Sequence, residues 1–367
     1  MKDKKKILVC VDRLTGGGAQ RVASLWINGW CKQGHDVSVV LSNVRTPITY
    51  DIPKSVKIYN IDYNIKNDYL RHLLKKSTEG IRMRKILDEV KPDVVVPVLL
   101  SWGKLLLKCK GKRNFKIVMT DHNTYERPSC SPMSKHNQYL KFEYNKNFDQ
   151  VTVLTQADVD FIGDRLNNVT HLPNPLAFEP VDKIPSKKNT IIAVGRLDAG
   201  YCKGFDVLIR ALGLCKKSDW KLQIIGSGSP SSTEKYKSLA KECGVIDQTE
   251  FLGFLDNPVQ AYRDAAIFVL SSRYEGFGMV LIEAMSQGCA CIACDYKGRQ
   301  KEIINDDKYG LLCSPDDPED LAKCINLMIE DEAYRKEVQE NAPLRAKYYS
   351  LENIMNRWDD IFDKIGI

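Results

Sequence analysis

Thirteen short, mainly apolar runs, the first seven rich in valine and isoleucine and continuously apolar rather than alternating, set the narrowest limit on what this chain can fold into. A strand wetted on one face alternates. One covered on both faces does not, so such runs belong to parallel sheets sandwiched between helices. Seven come early, at 6–11, 36–42, 56–61, 93–99, 116–120, 150–155 and 168–172. Six come late, at 190–196, 221–226, 249–254, 267–272, 289–294 and 309–314. Helical stretches separate several early runs (19–33, 70–90, 156–166) and late ones (204–216, 231–243, 279–287, 317–331), and helices continue over 332–365. This alternation builds parallel α/β sheets. Pro173, Pro175, Pro180 and Pro185 interrupt it without periodicity and read as a linker. The expected organisation is an α/β domain at 1–172, a linker at 173–189, a second α/β domain at 190–348, and a terminal helix at 349–367 returning to the first domain.

Composition removes several classes. No apolar run approaches the roughly 20 residues that span a bilayer. Ile7–Val11, behind a basic start, is too short for a signal peptide, so the expected location is the cytoplasm. The 12 cysteines are then reduced thiols. Cys289, Cys291 and Cys294 lack a paired CxxC or a nearby His and read as small side chains of a buried strand. Charge is uneven: residues 1–180 hold 29 Lys and Arg against 18 Asp and Glu, the remainder 25 against 29. The stretch Arg71 to Arg113 is especially basic. Such a half suits phosphates of a lipid carrier, or peripheral contact with an anionic membrane face. Nucleic acid is not expected, because the cations are not interleaved with exposed-looking aromatics.

Parallel sheets place ligands beyond the carboxyl ends of their strands, and two such sheets would face each other over a cleft. The polar residues just past each run therefore carry the functional argument. The first run leads into Thr15-Gly16-Gly17-Gly18-Ala19-Gln20-Arg21, where glycines admit a ligand to the backbone and the next helix offers a positive N-terminus. Arg21 stands where the dinucleotide fingerprint needs its third glycine, which argues against a nicotinamide dehydrogenase. His122 lies just past the run 116–120. Arg196 ends the run 190–196, and Lys203 follows beside Gly204: two cations suited to a diphosphate. The strongest element runs from Ser271 to Met285. Its loop and first-turn amides can hold phosphate oxygens or sugar hydroxyls. Glu275 precedes the helix and Glu283 lies about two turns into it, so each can accept from a different set of hydroxyls on one extended ligand.

Taken together, GGAQRV, DHN, LPNP, VGRLDAGYCKGFDVLIRAL, LQIIGSGS, EGFGMVLIEAM and EIINDDKYGLL resemble the retaining glycosyltransferases of family 4 over nearly the whole chain. Bacterial capsule, lipopolysaccharide and lipid-linked oligosaccharide enzymes are the nearest-looking members. The resemblance implies the GT-B fold, an α/β architecture of two Rossmann-like domains facing across a cleft. It implies a metal-independent, retaining enzyme of cell-surface polysaccharide synthesis. Such an enzyme moves a hexose or N-acetylhexosamine from a UDP-sugar to a glycan or polyprenyl-linked saccharide. A GDP-sugar transferase is the alternative, as is a non-catalytic nucleotide-sugar binder, although the latter should lack the two cations.

The resemblance also implies residue roles. Gly17 and Gly18 bring backbone close to the diphosphate, and Arg196 and Lys203 bind it as it leaves. Glu283 holds the ribose. Glu275 holds the transferred sugar with the amides of Gly276, Phe277 and Gly278, and Met279 and Val280 continue that donor-binding turn. His122 lies near the anomeric region, with either its side chain or its carbonyl, and the base rests around Gly253 and Phe254. Two departures stand out: Gln20 where the family often has Glu, and an apparent insertion of Gly200-Tyr201-Cys202 before Lys203. Acceptor recognition is expected in the loops 43–55 and 123–137.

Overall fold

All thirteen runs are strands in the computed structural model, which describes residues 3–43, 45–128, 133–215 and 219–367. Val44 and residues 129–132, in the two loops expected to meet the acceptor, lie outside the described residues. The first sheet contains β1 (Lys6–Val11), β2 (Asp36–Leu41), β3 (Lys57–Asn60), β4 (Val94–Pro97), β5 (Lys116–Thr120), β6 (Gln150–Val153) and β7 (Val169–His171). Their order is β3-β2-β1-β4-β5-β6-β7, with every pairing parallel. The second sheet contains β8 (Lys188–Val194), β9 (Lys221–Ile225), β10 (Thr249–Gly253), β11 (Ala265–Leu270), β12 (Ala290–Cys294) and β13 (Leu311–Cys313). Its order is β10-β9-β8-β11-β12-β13, again parallel throughout.

The central apolar runs form buried parallel strands because helices cover both faces, while the edge strands β3, β7 and β10 stay partly exposed. Ile7, Leu8, Val9, Val94, Val95 and Val96 are fully buried, as are Ile191, Ile267, Phe268 and Ile292. Cys289, Cys291 and Cys294 are buried at and within β12, filling the core as small side chains do. The expected strand 93–99 stops at Pro97, and a helix starts at Leu100. The apolar sequence continues across that junction, so hydrophobicity alone could not mark it. Each sheet reverses its winding once, between β1 and β4 and between β8 and β11. At such a point the chain leaves two neighbouring strands toward opposite sides, which opens a crevice at their carboxyl ends.

The chain divides into two compact units. One comprises the sequence up to Pro175 together with Leu351–Ile367; the other is Leu176–Ser350. The terminal helix Leu351–Lys364 belongs to the first unit through an aromatic cluster. Trp358 is fully buried, with its ring edge-on to Trp26 at 5.1 Å and to Trp30 at 5.0 Å. Phe362 lies 5.6 Å from Trp358. A Cβ added at Gly29 would lie 2.5 Å from the Met355 sulfur, so the helix Gly18–Lys32 needs glycine there for its neighbour to come this close. Truncating Trp358 to Ala should cost about 3–5 kcal/mol of first-unit stability, as loss of a large core aromatic does. Denaturant unfolding followed by tryptophan emission measures it, and a loss within about 0.5 kcal/mol, as for a surface substitution, would show that the helix contributes nothing to the core.

Candidate functional site

In the second unit the chain leaves β8 through a 3-10 helix, Leu197–Lys203, and enters the helix Phe205–Leu214. It leaves β11 through the loop 271–278 and enters the helix Met279–Ser286. Because β8 and β11 are neighbours, both connections open on one crevice. There Lys203 Nζ donates to Glu275 Oε1, which also accepts from the Ser272 hydroxyl at 3.0 Å. The two charged side chains keep 24% and 16% of their exposure, so a ligand can reach both. The two connections touch at Gly204. Its φ is 60°, and an added Cβ would lie 2.0 Å from the Ser271 carbonyl oxygen, so only glycine allows this approach. The Ser271 hydroxyl completes the junction by donating to Lys203 O at 3.0 Å.

Arg196 is exposed at the start of the 3-10 helix, and the stretch Gly200-Tyr201-Cys202 lies within that helix. Asp198, two residues after Arg196, accepts from the Ser232 hydroxyl at 2.6 Å and from the Ser229 amide and hydroxyl. Those bonds hold its carboxyl below the usual range and fasten the segment to the start of the helix Pro230–Glu242.

Gly276 and Gly278 flank Phe277, which is buried and whose carbonyl accepts from Gln300 Nε2 at 3.3 Å. Gly278 starts the helix without a side-chain cap. The first-turn amides of Met279 and Val280, which no carbonyl within the helix can satisfy, are thus suited to a phosphate or hydroxyl oxygen. Glu283 on this helix is only 3% exposed and accepts from the Tyr262 hydroxyl at 3.3 Å. Gly253 ends β10 and its carbonyl accepts from the Gly226 amide, while the Phe254 ring beside it is 68% exposed.

The second unit therefore brings Lys203, Glu275 and the glycine loop together, with Glu283 on the helix that the loop begins. Arg196, Gly253 and Phe254 lie at carboxyl ends of the same sheet. Gly17, Gly18 and His122 occupy the corresponding ends of β1 and β5 in the first unit. Gly17, with φ 74°, caps the helix Gly18–Lys32. The His122 ring lies 5.5 Å from Trp26, and both its nitrogens are sealed from water. Burial pushes the imidazole down to about 4, against the opposing influence of Asp121 and Asn174. The ring is turned inward beside Trp26, and burial favours its neutral form.

Sequence reasoning assigned no role to Asp198, Ser272, Tyr262 or Gln300. Ser272 had a local signal, three residues before Glu275 in a turn. Tyr262 had none, since its partner lies 21 residues away on another element.

The fold has known counterparts. Residues 177–345 match the model for glycosyl transferases group 1, and residues 16–177 match glycosyltransferase family 4. The Campylobacter jejuni N-acetylgalactosamine-N,N'-diacetylbacillosaminyl-diphospho-undecaprenol 4-alpha-N-acetylgalactosaminyltransferase is 34% identical over 95% of this chain and 97% of its own length. This chain belongs to the family 4 glycosyltransferases. The glycosyltransferase has the GT-B fold of its structural neighbours. Sucrose-phosphate synthase from Thermosynechococcus elongatus is similar with a TM-score of 0.83 at 18% identity, over 99% of both chains. Anabaena HepE in complex with UDP and glucose gives 0.77 at 17% identity, over 98% of this chain and 100% of that one.

His122 generates a pH prediction. Its folded-state value of about 4 lies below the ordinary 6.5, so between those two values the unfolded chain takes a proton that the folded chain refuses. Stability should fall as the solution is acidified through that window, by up to about 3 kcal/mol from this residue alone. Denaturant titrations at pH 7, 5.5 and 4.5 should show a shallower decline for His122→Asn; an identical decline would mean that the ring is not the source.

Proposed function

We propose that this glycosyltransferase moves a hexose or N-acetylhexosamine from a UDP-sugar to a lipid-linked saccharide, with retention of configuration and without a metal ion. The observation that carries the reading is the Lys203–Glu275 pair beside the glycine loop. It offers a cation for a diphosphate, and a carboxylate with adjacent amides for sugar hydroxyls, within one hydrogen-bond length of each other. The Campylobacter relative is named for transfer of N-acetylgalactosamine to a saccharide on undecaprenol diphosphate, which supports the acceptor class. The basic first half supports peripheral contact with the anionic surface where such an acceptor resides.

Breaking the anomeric bond leaves positive charge on the sugar and negative charge on the diphosphate. Fixed cations lower that barrier because they are already in place when the negative charge develops. In this reading the diphosphate replaces Glu275 as the partner of Lys203, and Arg196 adds a second cation. Glu275, still oriented by Ser272, then accepts from hydroxyls of the sugar. Glu283, held by Tyr262, accepts from the ribose, and the base lies against Gly253 and Phe254. The acceptor hydroxyl attacks from the face that the diphosphate leaves, and the departing phosphate oxygen takes its proton. Configuration is retained.

A panel of UDP- and GDP-sugars screened by thermal stabilisation identifies the donor, since a ligand bound only by the folded state raises the melting temperature. With that donor, Lys203→Ala should lower turnover by roughly a hundredfold or more, the scale of losing one contact to a developing oxyanion. The variant should remain folded, and wild-type turnover should persist in EDTA. Normal turnover in the variant would remove the diphosphate site. Glu283→Ala should chiefly raise the dissociation constant for the donor, and an unchanged constant would reassign the ribose contact.

A further inference from the structure

Arg273 stands two residues before Glu275, and the chemistry above makes no use of it. Its side chain is only 9% exposed, unusual for a long cation in a loop. Nη1 and Nη2 reach the two carboxylate oxygens of Asp206 at 2.8 and 2.7 Å. Nε reaches Asp316 at 2.7 Å, and Nη1 also donates to Tyr201 O at 2.9 Å. The guanidinium carbon lies 4.0 Å from the centroid of the Tyr201 ring, whose hydroxyl donates to Asp316 at 3.3 Å. Along the main chain, the Arg273 amide donates to Cys202 O at 2.9 Å. One residue thus binds both sides of Lys203 in sequence: Tyr201 and Cys202 before it, Asp206 in the helix after it.

We infer that Arg273 is a positioning residue for diphosphate recognition: by clamping the segment 201–206 to the loop that carries Glu275, it aims Lys203 Nζ at the phosphate that bears the sugar. Arg273 itself touches neither donor nor acceptor. The clamp answers a local need. The connection after β8 includes Gly200-Tyr201-Cys202, and a longer connection has more conformations in which Lys203 points elsewhere. Stacking on Tyr201 and bonding its carbonyl removes them. The fork is specific to arginine, because bidentate pairing with Asp206 and simultaneous contact with Asp316 need a planar group with donors on three sides. Lysine keeps the charge and loses the fork. The two carboxylates hold Arg273 firmly in its charged form, the Asp206 hydrogen bond foremost. A residue that only held a surface loop would change stability without choosing among ligands.

The inference rests on the reading that Lys203 binds the distal phosphate, and the test separates the two. UDP and UMP share base, ribose and first phosphate and differ in the second phosphate, as do GDP and GMP. Calorimetric titration of the full chain with each pair gives the diphosphate-to-monophosphate affinity ratio. Arg273→Lys and Arg273→Ala should each lower that ratio by about tenfold, the scale of one charge-assisted contact. Affinity for the monophosphate should stay within about twofold, inside the scatter of a substitution that touches no ligand. Lys203→Ala should lower the ratio as well. The double variant Lys203→Ala/Arg273→Lys should lower it no further, because residues acting as one unit are not additive. Melting temperatures identify the folded variants, and Arg273→Lys keeps the test open if Arg273→Ala does not fold. An unchanged ratio in folded Arg273→Lys would overturn the inference, as would equal losses for diphosphate and monophosphate. If Lys203→Ala also keeps the wild-type ratio, or if neither diphosphate binds the wild type better than its monophosphate, the functional reading falls with it.

Discussion

In a parallel sheet every strand delivers its carboxyl end to the same edge, and between β8 and β11 the chain then departs in opposite directions. The two departing segments are forced to be neighbours. Gly204 lets them close to backbone contact against Ser271, and from that contact Lys203 on one segment meets Glu275 on the other. Nothing in the local propensity of either segment requires the meeting. It follows from strand order, from a glycine with φ near 60°, and from side chains long enough to cross the crevice.

The strength of that meeting matters as much as its existence. An exposed ion pair contributes about 0–1 kcal/mol, whereas leaving one partner of a buried pair uncompensated costs about 3–5. Lys203 and Glu275, at 24% and 16% exposure, lie between these limits. The pair is strong enough to keep both groups oriented, and under the proposed function weak enough for an anion with more charge than a carboxylate to displace. Glu283 occupies a different regime. At 3% exposure on an apolar helix face it depends on the Tyr262 hydroxyl for part of its satisfaction.

The fold was legible in the sequence because strands covered on both faces are written as unbroken apolar runs. Where the code blurred, the cause was physical. The run 93–99 passes from β4 into the helix Leu100–Lys110 without losing hydrophobicity, and the helix Lys135–Asn145 keeps only Lys141, Phe142 and Asn145 buried, too little to impose a visible period. The short helix Arg299–Ile304 was likewise invisible, and with it the support that Gln300 gives to Phe277. At the site, Lys203 and Glu275 could each be named from their surroundings, but their bond spans 72 residues and has no local signature. His122 was visible as a polar residue at a strand end. That its ring would turn inward beside Trp26 depends on a helix more than ninety positions earlier.

The helix Leu351–Lys364 makes the second unit an insertion within the first. The segment Leu176–Ser350 is continuous in sequence and can close its core as soon as it has been synthesised. The first unit draws its core from both sides of that insertion. Trp26 and Trp30 pack against Trp358, which lies on the far side of the inserted unit in sequence. Detaching that one helix would strip both indoles of the ring they share, so the first unit is closed only where the chain has returned from the second.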